Sequence, residues 1–264
     1  MKKIFALLLA LCMVFALCAC GSKNETPAPE PTEAPAVEEP APTEEPAAEE
    51  PAAEVMSYAE YAAAELETQV TVEAYVQATQ SWWDNKITVY GQDEDGAYFF
   101  YNMACSEEDA AKLVPGTKIR ATGFKAEWSG EVEIIDASFE IIEGSFIAEP
   151  LDVTALLSSD ELIAHQNEKV SFKGLTIVAK DDGTSPFYYN WDDSGAEGTD
   201  SELYFDASVD GQTYTFVIEY YLCNENSDAY KAVQNLKVGD VVDLEGFLYW
   251  YNGANPHITS VVVK

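Results

Sequence analysis

The chain has 264 residues and a formal net charge of −33, from 47 acidic and 14 basic side chains. Residues 55–264 alone carry 37 acidic against 11 basic groups, and no Lys/Arg cluster occurs anywhere. Such a surface repels phosphate, so neither nucleic acid nor anionic lipid headgroups are expected as partners.

In chain order, the first feature is an export signal. Lys2 and Lys3 precede an apolar run from Ile4 to Leu17, closed by small residues before Cys20, which is the pattern of a cleavable signal peptide. The run is shorter than the roughly 20 residues of a spanning helix. Leu17-Cys18-Ala19-Cys20-Gly21-Ser22 resembles the lipobox of bacterial lipoproteins. The resemblance implies loss of residues 1–19, lipidation of Cys20, and a chain anchored at the extracytoplasmic face of the cell membrane. Residues 20–54 hold eight of the twelve prolines, interleaved with Glu, Ala and Thr. A segment with nothing to bury does not offset its ordering entropy, so a disordered acidic Pro-rich linker is expected. At about 3.1 Å per residue it reaches roughly 100 Å.

The rest of the chain repeats itself. Leu113-Val114-Pro115-Gly116 runs through Gly123-Phe124 to Ser129-Gly130, and Leu236-Lys237-Val238-Gly239 runs through Gly246-Phe247 to Asn252-Gly253 at a constant offset of 123. Upstream, Val70-Thr71-Val72 parallels Val170-Ser171-Phe172 at an offset of 100, so the second copy is 23 residues longer between these blocks. Internal repetition of this kind predicts two related domains, at 55–146 and 147–264.

Within each copy the pattern is mostly β. Val70, Val72, Ala74 and Val76 alternate with polar neighbours, as a half-buried strand does. Residues 86–92 and 97–105 flank the turn Asp93-Glu94-Asp95-Gly96, and residues 203–209 and 212–223 flank Asp210-Gly211, predicting a hairpin in each copy. Ser106 and Ser227 each open a short helix, and two further strands meet at Ser129-Gly130 or Asn252-Gly253. Strand, hairpin, short helix, hairpin is the order of the five-stranded OB-fold barrel, which the Leu-x-x-Gly…Gly-Phe blocks also resemble. The expected fold is therefore all-β with short helices, two tandem OB-like barrels behind a Pro/Glu/Ala stalk. Fold alone leaves function open.

The tryptophans recur at matching places. Trp82 and Trp83 lie between strands one and two of the first copy, and Trp191 lies there in the second. Trp128 and Trp250 lie between strands four and five. Those connections frame the ligand face of OB folds. Tyr189, Tyr249 and Tyr251 join them, and most of the second copy's extra length falls in the loop spanning 179–201. Rigid rings among carboxylates suit a carbohydrate, or a cationic small molecule or peptide held by cation–π contact. They equally suit rings that cap the barrels or pack one on the other. The expected function is a lipid-anchored binding module with no catalysis. The alternative is a structural or assembly lipoprotein using the same aromatics against an envelope protein.

Other constellations are weaker. Asn190, Asp192 and Ser194 match the first positions of a calcium loop, but the Glu required at its twelfth position is replaced by Ser201. No enzyme or cofactor motif is present. Cys105 and Cys223 are too few for a disulfide framework and read best as small core residues. His165 and His257 are expected at a surface or strand edge.

Overall fold

The computed structural model describes residues 54–264, and the expected signal, Cys20 and the linker lie outside them. The first barrel is built from β1 (Gln69–Thr79), β2 (Lys86–Gln92), β3 (Ala97–Ala104), β4 (Thr117–Trp128) and β5 (Glu131–Ser145). It closes in the order β1-β2-β3-β5-β4. A helix, α1 (Tyr58–Ala63), precedes it, and α2 (Glu107–Ala110) bridges β3 to β4. After the two-residue β6 (Leu151–Asp152), the second barrel uses β7 (Lys169–Val178), β9 (Leu203–Val209), β10 (Gln212–Ile218), β11 (Val241–Phe247) and β12 (His257–Val263). These run β7-β11-β12-β10-β9, and β9 pairs back with β7 to close the ring. The short β8 (Phe187–Tyr189) adds to β9, and α3 (Asp228–Gln234) bridges β10 to β11. Both are OB-type barrels.

Local chemistry explains these elements. Val70, Val72, Ala74 and Val76 are fully buried along β1. Ser106 and Ser227 cap α2 and α3, each side chain accepting a backbone N–H of the first turn. The repeated Gly123 and Gly246 both stand where the fourth strand shifts register against the fifth. A Cβ on Gly123 would lie 2.7 Å from the Ile135 carbonyl oxygen, and one on Gly246 would collide with the His257 carbonyl. The strands approach too closely there for any side chain.

One strand is shorter than its pattern suggests. β10 ends at Ile218 rather than continuing to Cys223. The Glu219 carboxylate accepts the N–H groups of Tyr221 (3.1 Å) and Leu222 (2.6 Å), which turns the chain out of the ladder.

Each barrel has its own buried core. A third cluster joins them: Tyr90 and Phe99 from the first barrel close on Phe247 from the second. Tyr90 stacks on Phe247 at 4.5 Å. Burying a ring of this size stabilises by about 1.5–3 kcal/mol. Main-chain bonds stitch the same seam, with Asn252 N–H donating to the Ser129 carbonyl (2.7 Å) and Ser81 N–H to the Tyr221 carbonyl (2.7 Å). Residues 54–264 accordingly belong to one compact unit. Among the described residues no helix is long and apolar enough to cross a membrane.

Candidate functional site

The two turns between fourth and fifth strands face each other across the seam. Trp128, at the end of β4, lies 5.1 Å from Tyr251 of the other barrel, ring centre to ring centre. Behind them Tyr249 stacks on His257 at 4.2 Å, and Phe99 meets Tyr249 edge-on at 5.3 Å. Trp191, from the long loop after β8, completes the rim. Together they line a cleft of about 740 Å³ whose carboxylates come from Glu202 and Glu219. Gln80 and Asn255 add amides. No Lys or Arg lines it.

Exposure divides the cleft into rim and floor. Trp191 is 75% exposed and Trp128 53%, whereas Glu219 is 6% and His257 6% exposed. Exposed indoles beside a concave surface are a common mark of binding.

The floor's protonation states follow from burial. Desolvation raises Glu219 to about 7, partly offset by its two backbone donors. Desolvation lowers His257 to about 3, so the imidazole is neutral. Its Nδ1 is 2.7 Å from the Tyr90 hydroxyl, which also accepts from Gln80 Nε2 at 3.3 Å. Burial, then the negative field of Glu131, Glu133 and Glu202, raises the Tyr249 hydroxyl. Tyr204 donates to Glu202 Oε2 at 2.7 Å.

Of the eight aromatics singled out in the sequence, Trp128, Trp191, Tyr249 and Tyr251 converge here. The other four do not line the cleft. Trp82 packs against the first core and donates its indole N–H to the Cys105 carbonyl at 2.9 Å. Trp83, 78% exposed, bridges to Lys86 instead. Tyr189 packs against the second core and accepts from Gln234 Nε2 at 3.1 Å. Trp250 also packs on the second core, and its backbone N–H donates to Glu131 Oε2 at 2.9 Å. The site thus lies between the barrels rather than at one barrel's mouth.

The structure adds residues that sequence reasoning missed. Glu219 looked like mid-strand, and His257 is buried rather than at a surface or edge because β12 is flanked by β10 and β11. Asn190, Asp192 and Ser194 turn on themselves: Ser194 N–H donates to Asp192 Oδ1 (3.2 Å), and Asn190 Nδ2 to Ser194 Oγ (3.4 Å). Among the described residues, no group of three or more His, Cys, Asp or Glu is arranged to hold a metal. Cys105 and Cys223 are both free and buried.

No family model and no curated protein matches the chain. Solved structures similar to it include the S. pombe Stn1–Ten1 complex, at 20% identity and TM-score 0.23, covering 28% of this chain and 58% of that one. The Ifi202 HINa domain in complex with a 20-bp dsDNA matches at 14% identity and TM-score 0.31, covering 75% and 96%. A murine DNA-binding protein bound to dsDNA matches at 10% identity and TM-score 0.33, covering 74% and 94%. Two of these structures hold duplex DNA, so the exclusion of nucleic acid drawn from net charge is withdrawn.

Proposed function

We propose that this protein is a non-catalytic binding module, held at the extracytoplasmic face of a bacterial membrane by a lipid on Cys20. Its ligand sits in the aromatic cleft between the two barrels. The observation that carries this reading is convergence: Trp128, Trp191 and the Tyr249/Tyr251 pair come from three segments of the two repeats and line one concave surface. Rings used only for packing are covered by protein, yet Trp128, Trp191 and Tyr251 remain 47–75% exposed. Ring faces of this kind recognise sugars or cationic groups.

Tryptophan fluorescence titration of the lipid-free mature chain tests the reading, using a panel of soluble sugars and amines. A saturable change lost in Trp128→Ala and Trp191→Ala supports it. The assembly alternative takes over if every titration is flat while one envelope protein is retained by the wild-type chain and released by Trp128→Ala.

A further inference from the structure

This inference rests on the binding reading and names the chemistry of the ligand. The cleft has an electrostatic imbalance that its own residues leave uncorrected. Glu219 stands in its floor, 6% exposed. Its two donors are backbone N–H groups rather than a cation. The titratable groups acting on it or feeling its charge are Glu202, Tyr204, Tyr90 and Cys223, none of which is positive at neutral pH. The neighbouring His257 is neutral, held so by burial. Lys180, the cation nearest in sequence to Trp191, is paired 3.0 Å from Asp206.

Burying a carboxylate without a counter-charge is costly, and a guest cation removes that cost. The rings supply the complementary half. Indole and phenol faces carry negative electrostatic potential and attract cations desolvated among them. Glu202 accepting from the Tyr204 hydroxyl (2.7 Å) adds electron density to one of these rings.

The geometry points to a ligand bearing a quaternary or methylated ammonium head, seated among Trp128, Trp191, Tyr249 and Tyr251 with Glu202 and Glu219 as its counter-charges. A quaternary head donates no hydrogen bonds, which suits a site with far more ring surface than free acceptors. The cleft volume of about 740 Å³ exceeds one such head, leaving room for the chain that carries it. A neutral sugar uses the rings but leaves the Glu219 charge uncompensated.

The test compares choline with its uncharged isostere 3,3-dimethylbutan-1-ol and with methyl α-glucoside, by tryptophan fluorescence on the mature chain. Choline is expected to bind saturably and at least about tenfold more tightly than the isostere. Binding should strengthen as pH rises through about 7, because the cation favours ionised Glu219. Glu219→Gln should abolish that pH step. Glu202→Gln, at a half-exposed position, should weaken choline but not the isostere, and its melting temperature checks folding independently. Equal affinity for choline and the isostere overturns the inference. A flat choline titration beside saturable glucoside binding lost in Trp128→Ala also overturns it, while leaving the binding reading intact. Flat responses to all three probes overturn the inference, and flat responses across the wider sugar and amine panel remove the small-ligand reading as well.

Discussion

Trp128 and Trp250 occupy matching turns of the two repeats and have opposite fates. Trp128 is 53% exposed and leans on Tyr251 across the cleft. Trp250 is packed on the second core and against Gly130, whose added Cβ would come within 2.8 Å of its Cδ1. The turns meet asymmetrically, one lending its indole to the seam and the other leaving it exposed at the cleft. At the repeat offset of 123 the counterpart of Trp128 is Tyr251, and both stay exposed at the cleft; Trp250 stands one residue earlier and packs on the second core.

The largest effect should come from the seam. Phe247→Ala empties the cluster with Tyr90 and Phe99 and is expected to cost about 3–5 kcal/mol, measured by urea unfolding, with the two barrels separating into two transitions. Trp250→Ala, at a partly buried ring, should cost about 3 kcal/mol in the same assay. Trp128→Ala should change stability by less than about 0.5 kcal/mol yet remove ligand binding. Equal destabilisation by both tryptophan variants would break the comparison between the turns. Gly130→Ala sharpens it: at φ +91 and against Trp250, an alanine should cost about 1–3 kcal/mol.

A smaller effect concerns pH. Glu131 is fully buried at the seam, and burial raises it to about 8. Its Oε1 is a buried atom without a hydrogen-bond partner, and the Asn167 side chain and the Trp250 N–H only partly offset the desolvation. An acid raised in the folded state stabilises while protonated, and that stability is lost as pH rises through the folded value. Glu219, raised to about 7, acts in the same sense. His257, lowered to about 3 from 6.5, acts oppositely, but only below 6.5, where the unfolded imidazole protonates. Between about pH 6.5 and 8 the carboxyls act alone, so the melting temperature should fall. Glu131→Gln should flatten that fall, and a variant as pH-sensitive as wild type would show that Glu131 is not its source. The smallest effect is expected at Trp83→Ala, within about 0.5 kcal/mol in stability and with ligand binding unchanged.

Much of the fold was legible in the sequence because its signals are local. Alternation in β1, the turn signals at Asp93–Gly96 and Asp210-Gly211, and the serine caps each act within a few residues. Glycines recurring at 123 and 246 marked the repeat, and both fall at register shifts between the fourth and fifth strands. The site was half legible. Position singled out Trp128, Trp191, Tyr249 and Tyr251, but identical reasoning brought in Trp82, Trp83, Tyr189 and Trp250. What separates the two sets is contact between distant segments, such as Asn252 with Ser129, which periodicity does not encode. Glu219 was hidden for a related reason: its carboxylate ends a strand whose pattern would otherwise continue. Net charge, finally, is a property of the whole chain and did not decide what kind of partner this architecture accepts.

The most direct test of ligand seating between the barrels uses the five tryptophans as separate reporters. With 5-fluorotryptophan incorporated and assigned, choline at saturation should shift the fluorine resonances of Trp128 and Trp191 and leave those of Trp82 and Trp83 in place. Shifts confined to Trp82 and Trp83, or none at all, would contradict the account.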